Sequence, residues 1–211
     1  MLGNDRVKIA SLNCAGLAAH FIDIAVDTRL QKADIIHLVE TSLESIEKCE
    51  HFRIPEYESH FINVSKGKGI ATYFKTSIFT HERDYVATNM QVTKFNSREL
   101  DVINVYRSSD GNSLELLNRV SEMLTVEKPT LITGDFNICM LNHEKNRLSK
   151  GLLQNGFCQM VKEATHIRGG HIDHVYWKGE YSIWKDLNLE LYSPYYSDHD
   201  ASLITLIKNQ D

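Results

Sequence analysis

Short apolar runs of β-strand type recur along this chain and constrain its fold more than any other feature. Val7 to Asn13 alternates apolar and polar residues, which is the period of a half-buried strand. Further runs rich in Val, Ile, Thr and aromatic residues predict strands at 34–39, 69–75, 90–95, 100–106, 130–133, 172–177 and 201–207. Because the strands alternate with helices early and then form a meander, the pattern favours an α/β sandwich over a doubly wound parallel sheet.

Two helices are predicted between these strands. Residues 17–31 carry apolar side chains at helical spacing, and a second amphipathic helix runs to about Leu124. Asn112 or Ser113 can cap the start of that second helix, because a short polar side chain there accepts hydrogen bonds from the first free backbone N–H groups.

The chain shows no sign of division into separate units. It has 211 residues without an internal repeat or a linker, and its three prolines and eleven glycines are scattered. We therefore expect one α/β (α+β) domain over residues 1–211, with its motif-bearing core at about 7–207.

The expected location is nuclear or cytoplasmic rather than secreted. No apolar run reaches the roughly 18–20 residues that cross a bilayer, and residues 1–7 lack the apolar segment of a signal peptide. The four cysteines form no C-x-x-C pair, so reduced, buried thiols are expected. The sequence thus predicts no membrane partner.

Acids, amides, a tyrosine and a histidine recur where the predicted strands end or begin, which is where active sites of layered folds collect. They occupy six segments in this order: Asn13, Glu40, Tyr106–Arg107, Asp135 with Asn137, Asp173, and Asp198–His199. Each residue alone has an ordinary interpretation as a cap, a turn residue or a solvated side chain. The ordered set is harder to explain in that way and predicts an active site.

Two requirements of phosphodiester hydrolysis can be met by the carboxylates and amides of this set. A hard cation must neutralise charge on the phosphoryl oxygens, and Glu40, Asp198 and the amide oxygen of Asn13 suit Mg²⁺. A water must also be oriented or deprotonated, which Asp135 or a His–Asp pair can do. The sequence therefore predicts a metal-dependent hydrolytic site.

The third requirement is a set of donors that hold the phosphate as negative charge builds on it. The Asn137 amide, the Tyr106 hydroxyl and a protonated His199 are suitable donors. Asp173 is the natural candidate to fix the tautomer of His199 and raise its pKa, as the acid does in a catalytic triad.

These ordered segments resemble the motif series of the endonuclease/exonuclease/phosphatase superfamily, whose members include DNase I-like and exonuclease III-like enzymes. The resemblance implies a four-layer α/β sandwich, with two mixed β-sheets face to face and helices outside. It also implies Mg²⁺, or Mn²⁺ in its place, held mainly by Glu40 with help from Asn13 and Asp198. The roles implied for the remaining residues are phosphate stabilisation or acid–base work by His199 with Asp173, water orientation by Asp135, and phosphate contacts by Asn137 and Tyr106.

Within this superfamily, the chain most resembles the endonuclease domains of non-LTR retrotransposons. Tyr106 separates it from the branch that removes tyrosyl adducts, and its length leaves little room for the insertions of phosphoinositide phosphatases. Residues 165–176 and 196–201 are similar to the retrotransposon enzymes, although Ser108 stands where those enzymes tend to have proline. The resemblance implies a DNA endonuclease that nicks one strand and leaves a 3′-hydroxyl and a 5′-phosphate.

Several alternatives stay open. The chain could be an abasic-site repair endonuclease or exonuclease, a phosphomonoesterase acting on a small metabolite or lipid, or a catalytically silent nucleic-acid-binding module. For the retrotransposon type we expect a monomer whose partners are DNA and a reverse transcriptase, either separate or fused.

The predicted substrate contacts are Arg107 and Arg168 to flanking phosphates, and Thr165, which the resemblance places against the DNA backbone. Lys66 and Lys68 are more simply interpreted as solvated hairpin lysines. A zinc site formed by the histidines at 166, 171 and 174 is disfavoured against polar surface or core histidines. The formal net charge of −5 argues against strong non-specific binding to DNA, although a carboxylate site would contribute to it.

Overall fold

Two six-stranded mixed β-sheets lie face to face in the computed structural model, which describes residues 5–62, 65–140, 147–179 and 183–209. The strands are β1 (Arg6–Asn13), β2 (Ile35–Val39), β3 (Glu58–Ile62), β4 (Ile70–Phe74), β5 (Thr80–Ala87), β6 (Met90–Asn96), β7 (Asp101–Arg107), β8 (Thr130–Asp135), β9 (Cys158–Gln159), β10 (Asp173–Lys178), β11 (Trp184–Tyr192) and β12 (Ala201–Lys208). The first sheet has the order β11-β12-β1-β2-β4-β3 and the second β5-β6-β7-β8-β10-β9.

Three α-helices in the described residues pack outside the sheets: α1 (Leu17–Val26), α2 (Ser113–Met123) and α3 (Arg147–Gln154). The predicted cap of α2 is Asn112, whose Oδ1 accepts hydrogen bonds from the backbone N–H groups of Leu114 and Glu115. The predicted helix over 17–31 ends early, at Val26. The Asp27 side chain accepts hydrogen bonds from the two backbone N–H groups at 29 and 30, which turns the chain into a short 3₁₀ segment, Leu30–Lys32.

The apolar side chains form three layers of core. One fills the space between the sheets, with Ile9 and Ile204 from the first sheet and Val102 and Val175 from the second. A second lies between α1 and the first sheet, and a third between the second sheet and helices α2 and α3. The order helix, sheet, sheet, helices confirms the predicted four-layer sandwich.

Four strands and one helix were not predicted from the sequence. The strands are β3, β5, β9 and β11, and the helix is α3. These four strands form the two edges of each sheet. Edge strands such as β5 are largely exposed, so they need not carry the apolar runs that identify a buried strand.

The expectation of buried cysteines is only partly correct. Cys14 and Cys49 are buried, whereas Cys139 is half-buried and Cys158 is exposed. In the part of the chain that the structure describes, no helix is long and apolar enough to span a bilayer. The expected single domain extends beyond the described residues and stays a prediction.

A buried ion-pair network links strands β6 and β7 to the loop after α2. Lys94, whose side chain is 1% exposed, lies 2.8 Å from Asp101 and 2.9 Å from Glu82. Its Nζ also donates to the Thr125 hydroxyl, and Lys128 lies 2.6 Å from the other oxygen of Asp101. Because the Asp101 side chain is fully buried, its charge depends for stabilisation on Lys94, Lys128 and the Thr125 hydroxyl.

Replacing Lys94 by Met should therefore destabilise the fold. The change leaves the Asp101 carboxylate buried with Lys128 as its remaining cation, and we expect the free energy of unfolding to fall by about 3 kcal/mol. Urea denaturation measures the loss. The control is Arg83→Met, because Arg83 pairs with the same Glu82 but is 54% exposed, so the expected loss is below about 1 kcal/mol. Equal losses in the two variants would contradict the buried role of Lys94.

The same network predicts a pH dependence of stability. Burial alone would raise the pKa of Glu82, but hydrogen bonds from Lys94, Asn96 and Arg83 outweigh it and lower the pKa from 4.5 to about 2. The stabilisation that ionised Glu82 gives to the fold is therefore complete above pH 4.5 and is lost as the pH falls from 4.5 towards about 2. Denaturation curves across this window should show a steeper loss for the native protein than for Glu82→Gln. If the free energy of unfolding fell equally in both proteins over this window, Glu82 would not be the group responsible for the loss.

Candidate active site

Six strand ends meet at one edge of the sandwich. β1 and β2 run parallel, as do β7 and β8, so their carboxyl ends point the same way within each sheet. β12 is antiparallel to β1, and β10 is antiparallel to β8, so these two strands begin at that edge. The catalytic residues predicted from the sequence follow or precede these ends, and hydrogen bonds join them across the two sheets.

Asp135, at the end of β8, lies at the centre of this arrangement and is 1% exposed. Its carboxylate accepts hydrogen bonds from the Asn13 side chain at 2.9 Å and from the Asn137 backbone N–H at 2.8 Å. Burial raises its pKa well above the ordinary value, and the negative charge of Asp173 adds to this effect. Asn13 and Asn137 thus hold Asp135 in one orientation.

A glycine lets β7 and β8 approach closely beside Asp135. Gly134 has a φ of 133°, and a Cβ built on it would lie 1.9 Å from the carbonyl oxygen of Val105. No L side chain fits this space, so the Gly-Asp sequence has a structural reason as well as a chemical one. After Asp135 the chain turns sharply, because Asn137 adopts a left-handed conformation with a φ of 48°.

His199 and Asp173 form the predicted pair. The Nδ1 atom of His199 lies 2.8 Å from a carboxylate oxygen of Asp173, and both residues are 7% exposed. Burial alone would lower the pKa of His199, but the hydrogen bond and charge of Asp173 outweigh it and raise the pKa to about 9. The imidazole is therefore a cationic donor near neutral pH, with Nε2 left for another acceptor.

Glu40 and Tyr106 meet from opposite sheets. The Tyr106 hydroxyl lies 3.3 Å from a Glu40 oxygen and donates at 2.9 Å to the carbonyl of Gly67, which is the better hydrogen bond. Burial raises the pKa of Glu40, and hydrogen bonding by Asn13 and the charge of His199 offset only part of this effect. Glu40 itself has a φ of 55°, a left-handed conformation that turns its side chain away from the line of β2.

Asp198 is the exposed acid of the site, and His166 is a neighbour that the sequence did not reveal. The Asp198 side chain is 49% exposed, and one of its oxygens lies 3.4 Å from the Nε2 atom of His166. The His166 ring packs edge-on to His199 with 4.7 Å between the ring centroids. From the sequence His166 was interpreted as a polar surface or core histidine, because only the fold brings His166 and His199 together as an isolated β-bridge.

The rings of His171 and His174 lie 5.5 Å apart, but no metal-ligating cluster among the described residues contains two of the three histidines considered for a zinc site. His174 is buried, where it stacks on Phe136 and its Nε2 lies 2.8 Å from the carbonyl of Ile138. Burial lowers the pKa of His174 to about 3. As expected from the alternation of a strand, it faces away from the Asp173 side.

Metal-ligating groups do gather at the site. Two clusters at these strand ends have donor atoms that all lie within 4.8 Å of one another: Asp135, Asp173 and His199, and His166, Asp198 and His199. Glu40 belongs to neither cluster, but the charges of Asp198 and His199 reach its carboxyl group. The predicted trio of Asn13, Glu40 and Asp198 therefore borders the same space.

Two of the predicted substrate contacts have other partners in the structure. Arg107 is 7% exposed, and its guanidinium donates to the backbone carbonyls of residues 109, 111, 136 and 137. Thr165 is fully buried, and its Oγ1 accepts hydrogen bonds from the N–H groups of Ile172 and Asp173. Both residues thus hold the loops of the site, and the contacts with substrate phosphates expected from the sequence stay a prediction.

The other two basic sites are accessible. Arg168 lies exposed in the loop 165–170, next to Ile167, which is 81% exposed and whose N–H donates to the carbonyl of Asp198. Lys66 is exposed in the loop that also supplies the Gly67 carbonyl to Tyr106. The structure thus leaves cationic and apolar side chains at the rim of the site.

The sequence and the structure were compared with known proteins. Residues 10–199 match the model of the Endonuclease/Exonuclease/phosphatase family. No curated protein matches the sequence significantly.

Solved structures with this fold include the endonuclease domain of TRAS1, a telomere-specific non-LTR retrotransposon. It is 14% identical, with 97% of this chain and 100% of that chain covered and a TM-score of 0.69. An AP endonuclease from Archaeoglobus fulgidus is 18% identical, with 94% and 98% covered and a TM-score of 0.67. TDP2 from D. rerio, complexed with a single strand DNA product, is 13% identical, with 95% and 98% covered and a TM-score of 0.68.

The role of Thr165 can be tested by removing its hydroxyl. Thr165→Val leaves two backbone N–H groups without their acceptor, so the free energy of unfolding should fall by about 1–3 kcal/mol. Thr165→Ser keeps the hydroxyl and should retain most of the stability. Urea denaturation compares the three proteins. Native stability in Thr165→Val would show that the hydroxyl is not needed there and would favour the substrate contact predicted from the sequence.

Proposed function

Because this chain belongs to the endonuclease/exonuclease/phosphatase family of hydrolytic enzymes, we propose that it is a magnesium-dependent DNA endonuclease. It nicks one strand and leaves a 3′-hydroxyl and a 5′-phosphate. The observation that carries this proposal is the His199–Asp173 pair beside the buried Asp135, framed by an amide on either side. A water-activating acid and a cationic donor are thereby held within one cleft.

The donors around this cleft fit a hard divalent cation. Glu40 and Asp198 offer carboxylate oxygens, and Asn13 offers an amide oxygen that keeps one lone pair beyond its hydrogen bond from Ala15. Asp198 is exposed enough for such an ion to retain water ligands. When bound, Mg²⁺, or Mn²⁺ in its place, would neutralise negative charge on the phosphoryl oxygens.

The chain's own residues supply the remaining parts of the reaction. Asp135 orients the attacking water and accepts its proton, since Asn13 and Asn137 hold its carboxylate in one orientation. His199 donates from Nε2 to a phosphate oxygen while Asp173 holds its Nδ1–H. The amide of Asn137 uses one N–H for the carbonyl of Arg107, and a phosphate oxygen can replace Asp135 in its longer 3.2 Å contact.

Tyr106 acts at the other side of the cleft. Its hydroxyl donates to the Gly67 carbonyl and borders Glu40, and it contacts the scissile phosphate when it turns from that carbonyl. Burial and the charge of Glu40 raise the pKa of Tyr106, so the hydroxyl remains a neutral donor.

Two observations support DNA as the substrate: the side chains at the rim of the site, and the solved structures that share the fold. The exposed Arg168 and Lys66 can meet phosphates that flank the cut, and the exposed Ile167 can contact a base or sugar. The endonuclease domain of a non-LTR retrotransposon shares the fold over almost the whole chain. A nickase of that type would generate the 3′-hydroxyl that a reverse transcriptase, separate or fused, extends.

Nicking of supercoiled plasmid tests the proposal. With Mg²⁺ or Mn²⁺ the native protein should convert the plasmid to relaxed circles whose 3′ ends a polymerase can extend. Asp135→Asn and His199→Ala should each slow nicking by about 10²–10⁴-fold, because each removes a proton-transfer or charge-stabilising group. The matched controls are Asp186→Asn and His51→Ala, which change exposed residues outside the cleft and should retain native rates.

Two further substrates separate the alternatives. A duplex with one abasic site and an inositol phosphate are incubated beside the plasmid under the same conditions. Cleavage confined to the abasic site would replace the nickase by a repair nuclease, as in the AP endonuclease that shares the fold. Rapid phosphate release from the inositol phosphate without plasmid nicking would overturn the DNA proposal.

A further inference from the structure

A second cluster of metal-ligating side chains lies away from the strand ends that form the cleft. His60 is in the middle of β3, and His81 and Asp84 are in β5. The Nε2 atoms of the two histidines lie 2.8 Å and 2.9 Å from the two oxygens of the Asp84 carboxylate. The donor atoms of the three residues lie within 4.8 Å of one another.

A β-bulge brings the two residues of β5 onto one face. His81 and Asp84 are three residues apart, and in a regular strand such residues point to opposite faces. The pairing of β5 with β6 shifts register between His81 and Arg83, which adds one residue and turns His81 to the side of Asp84. The cluster therefore depends on this β-bulge as well as on its three side chains, unlike an ordinary pair of exposed charges.

The two imidazole rings are held side by side. Their centroids lie 3.8 Å apart with an angle of 24° between the planes, so both Nε2 atoms face the same carboxylate. Phe95 packs against both rings from the interior, at 6.0 Å from His60 and 5.3 Å from His81. The side chains of His60, His81 and Asp84 keep 25%, 30% and 23% exposure, which leaves an open side towards solvent.

We propose that His60, His81 and Asp84 form a Zn²⁺ site that cross-links the edges of the two sheets. Two imidazoles and a carboxylate are ligands that zinc accepts, with water from the open side as the fourth. The function proposed for the cleft does not require this site, so each can fail without the other.

The observed distances are close to those that zinc requires. Tetrahedral zinc with bonds of 2.0–2.1 Å places neighbouring donor atoms about 3.3 Å apart. The two nitrogen–oxygen distances of 2.8 Å and 2.9 Å thus need to widen by only about 0.5 Å. Each ring would bind through Nε2 as a neutral imidazole with its proton on Nδ1.

The proposed zinc would link the two sheets at their edge strands. β3 is the edge of the first sheet and β5 is the edge of the second. The bond from His60 to Asp84 joins these edges directly, and zinc would replace one hydrogen bond by a coordinate link between the sheets.

Zinc titration of the chelator-treated full chain tests this site. Calorimetry should find one zinc more per chain in the native protein than in His60→Ala or His81→Ala, and an intermediate affinity in Asp84→Asn. Zinc at about 100 times its Kd should raise the melting temperature of the native protein by about 5–10 °C more than that of either histidine variant. His51→Ala, which removes an exposed histidine elsewhere, should bind zinc as the native protein does.

Each outcome decides the proposal. Equal zinc stoichiometry and equal zinc-induced stabilisation in the native protein, His60→Ala and His81→Ala would overturn it, even if both variants were less stable than the native protein. That result would leave a metal-free His–Asp–His hydrogen-bonded contact. Hydrolysis supported by Mg²⁺ should stay at the native rate in His81→Ala, which would show that the lost zinc did not come from the cleft.

Discussion

Hydrogen bonds between the two sheets hold the side chains that are predicted to be catalytic, and the geometry of the site depends on them. Each of three contacts takes one residue from the first sheet or the loops that extend it and one from the second: Asn13 with Asp135, Glu40 with Tyr106, and His199 with Asp173. The spacing of these pairs is set by the apolar side chains packed between the sheets. A change in that packing would therefore shift Asp135 and His199 together. The contact of His60 with Asp84 repeats this cross-sheet arrangement at the edges of the sandwich.

The sequence predicted the inner strands of both sheets and none of the edges. β1, β2 and β4 are buried on both faces or alternate regularly, so their apolar runs are visible without any knowledge of the fold. β5 has the sequence Thr-His-Glu-Arg-Asp-Tyr-Val-Ala and is a strand because β6 offers it a free row of backbone groups. Its strand character comes from pairing with β6 and not from an apolar pattern of its own, so periodicity cannot detect it. The family resemblance supplied the layer order, which composition alone left open.

The site was predictable in residue type and order but not in contacts. Asp135, Asp173 and His199 could be found because apolar strands precede or contain the right residue types. Arg107 was assigned to the substrate because a cation beside the site can meet a flanking phosphate, and Thr165 because the family resemblance places it against the DNA backbone. Their burial results from loop paths that close over them, and those paths depend on backbone carbonyl and N–H groups that every residue carries. His166 was missed for the same reason.

The acidic net charge is consistent with this site. Four carboxylates border the cleft, from Glu40, Asp135, Asp173 and Asp198, and His199 is the cation that faces them. In the proposed reaction an anionic phosphate enters this space, and the proposed divalent cation would offset the charge of the carboxylates locally without a basic surface. Exposed cations at the rim, such as Arg168 and Lys66, are then needed for orientation more than for affinity. A formal charge of −5 thus limits non-specific binding while leaving the chemistry of the cleft intact.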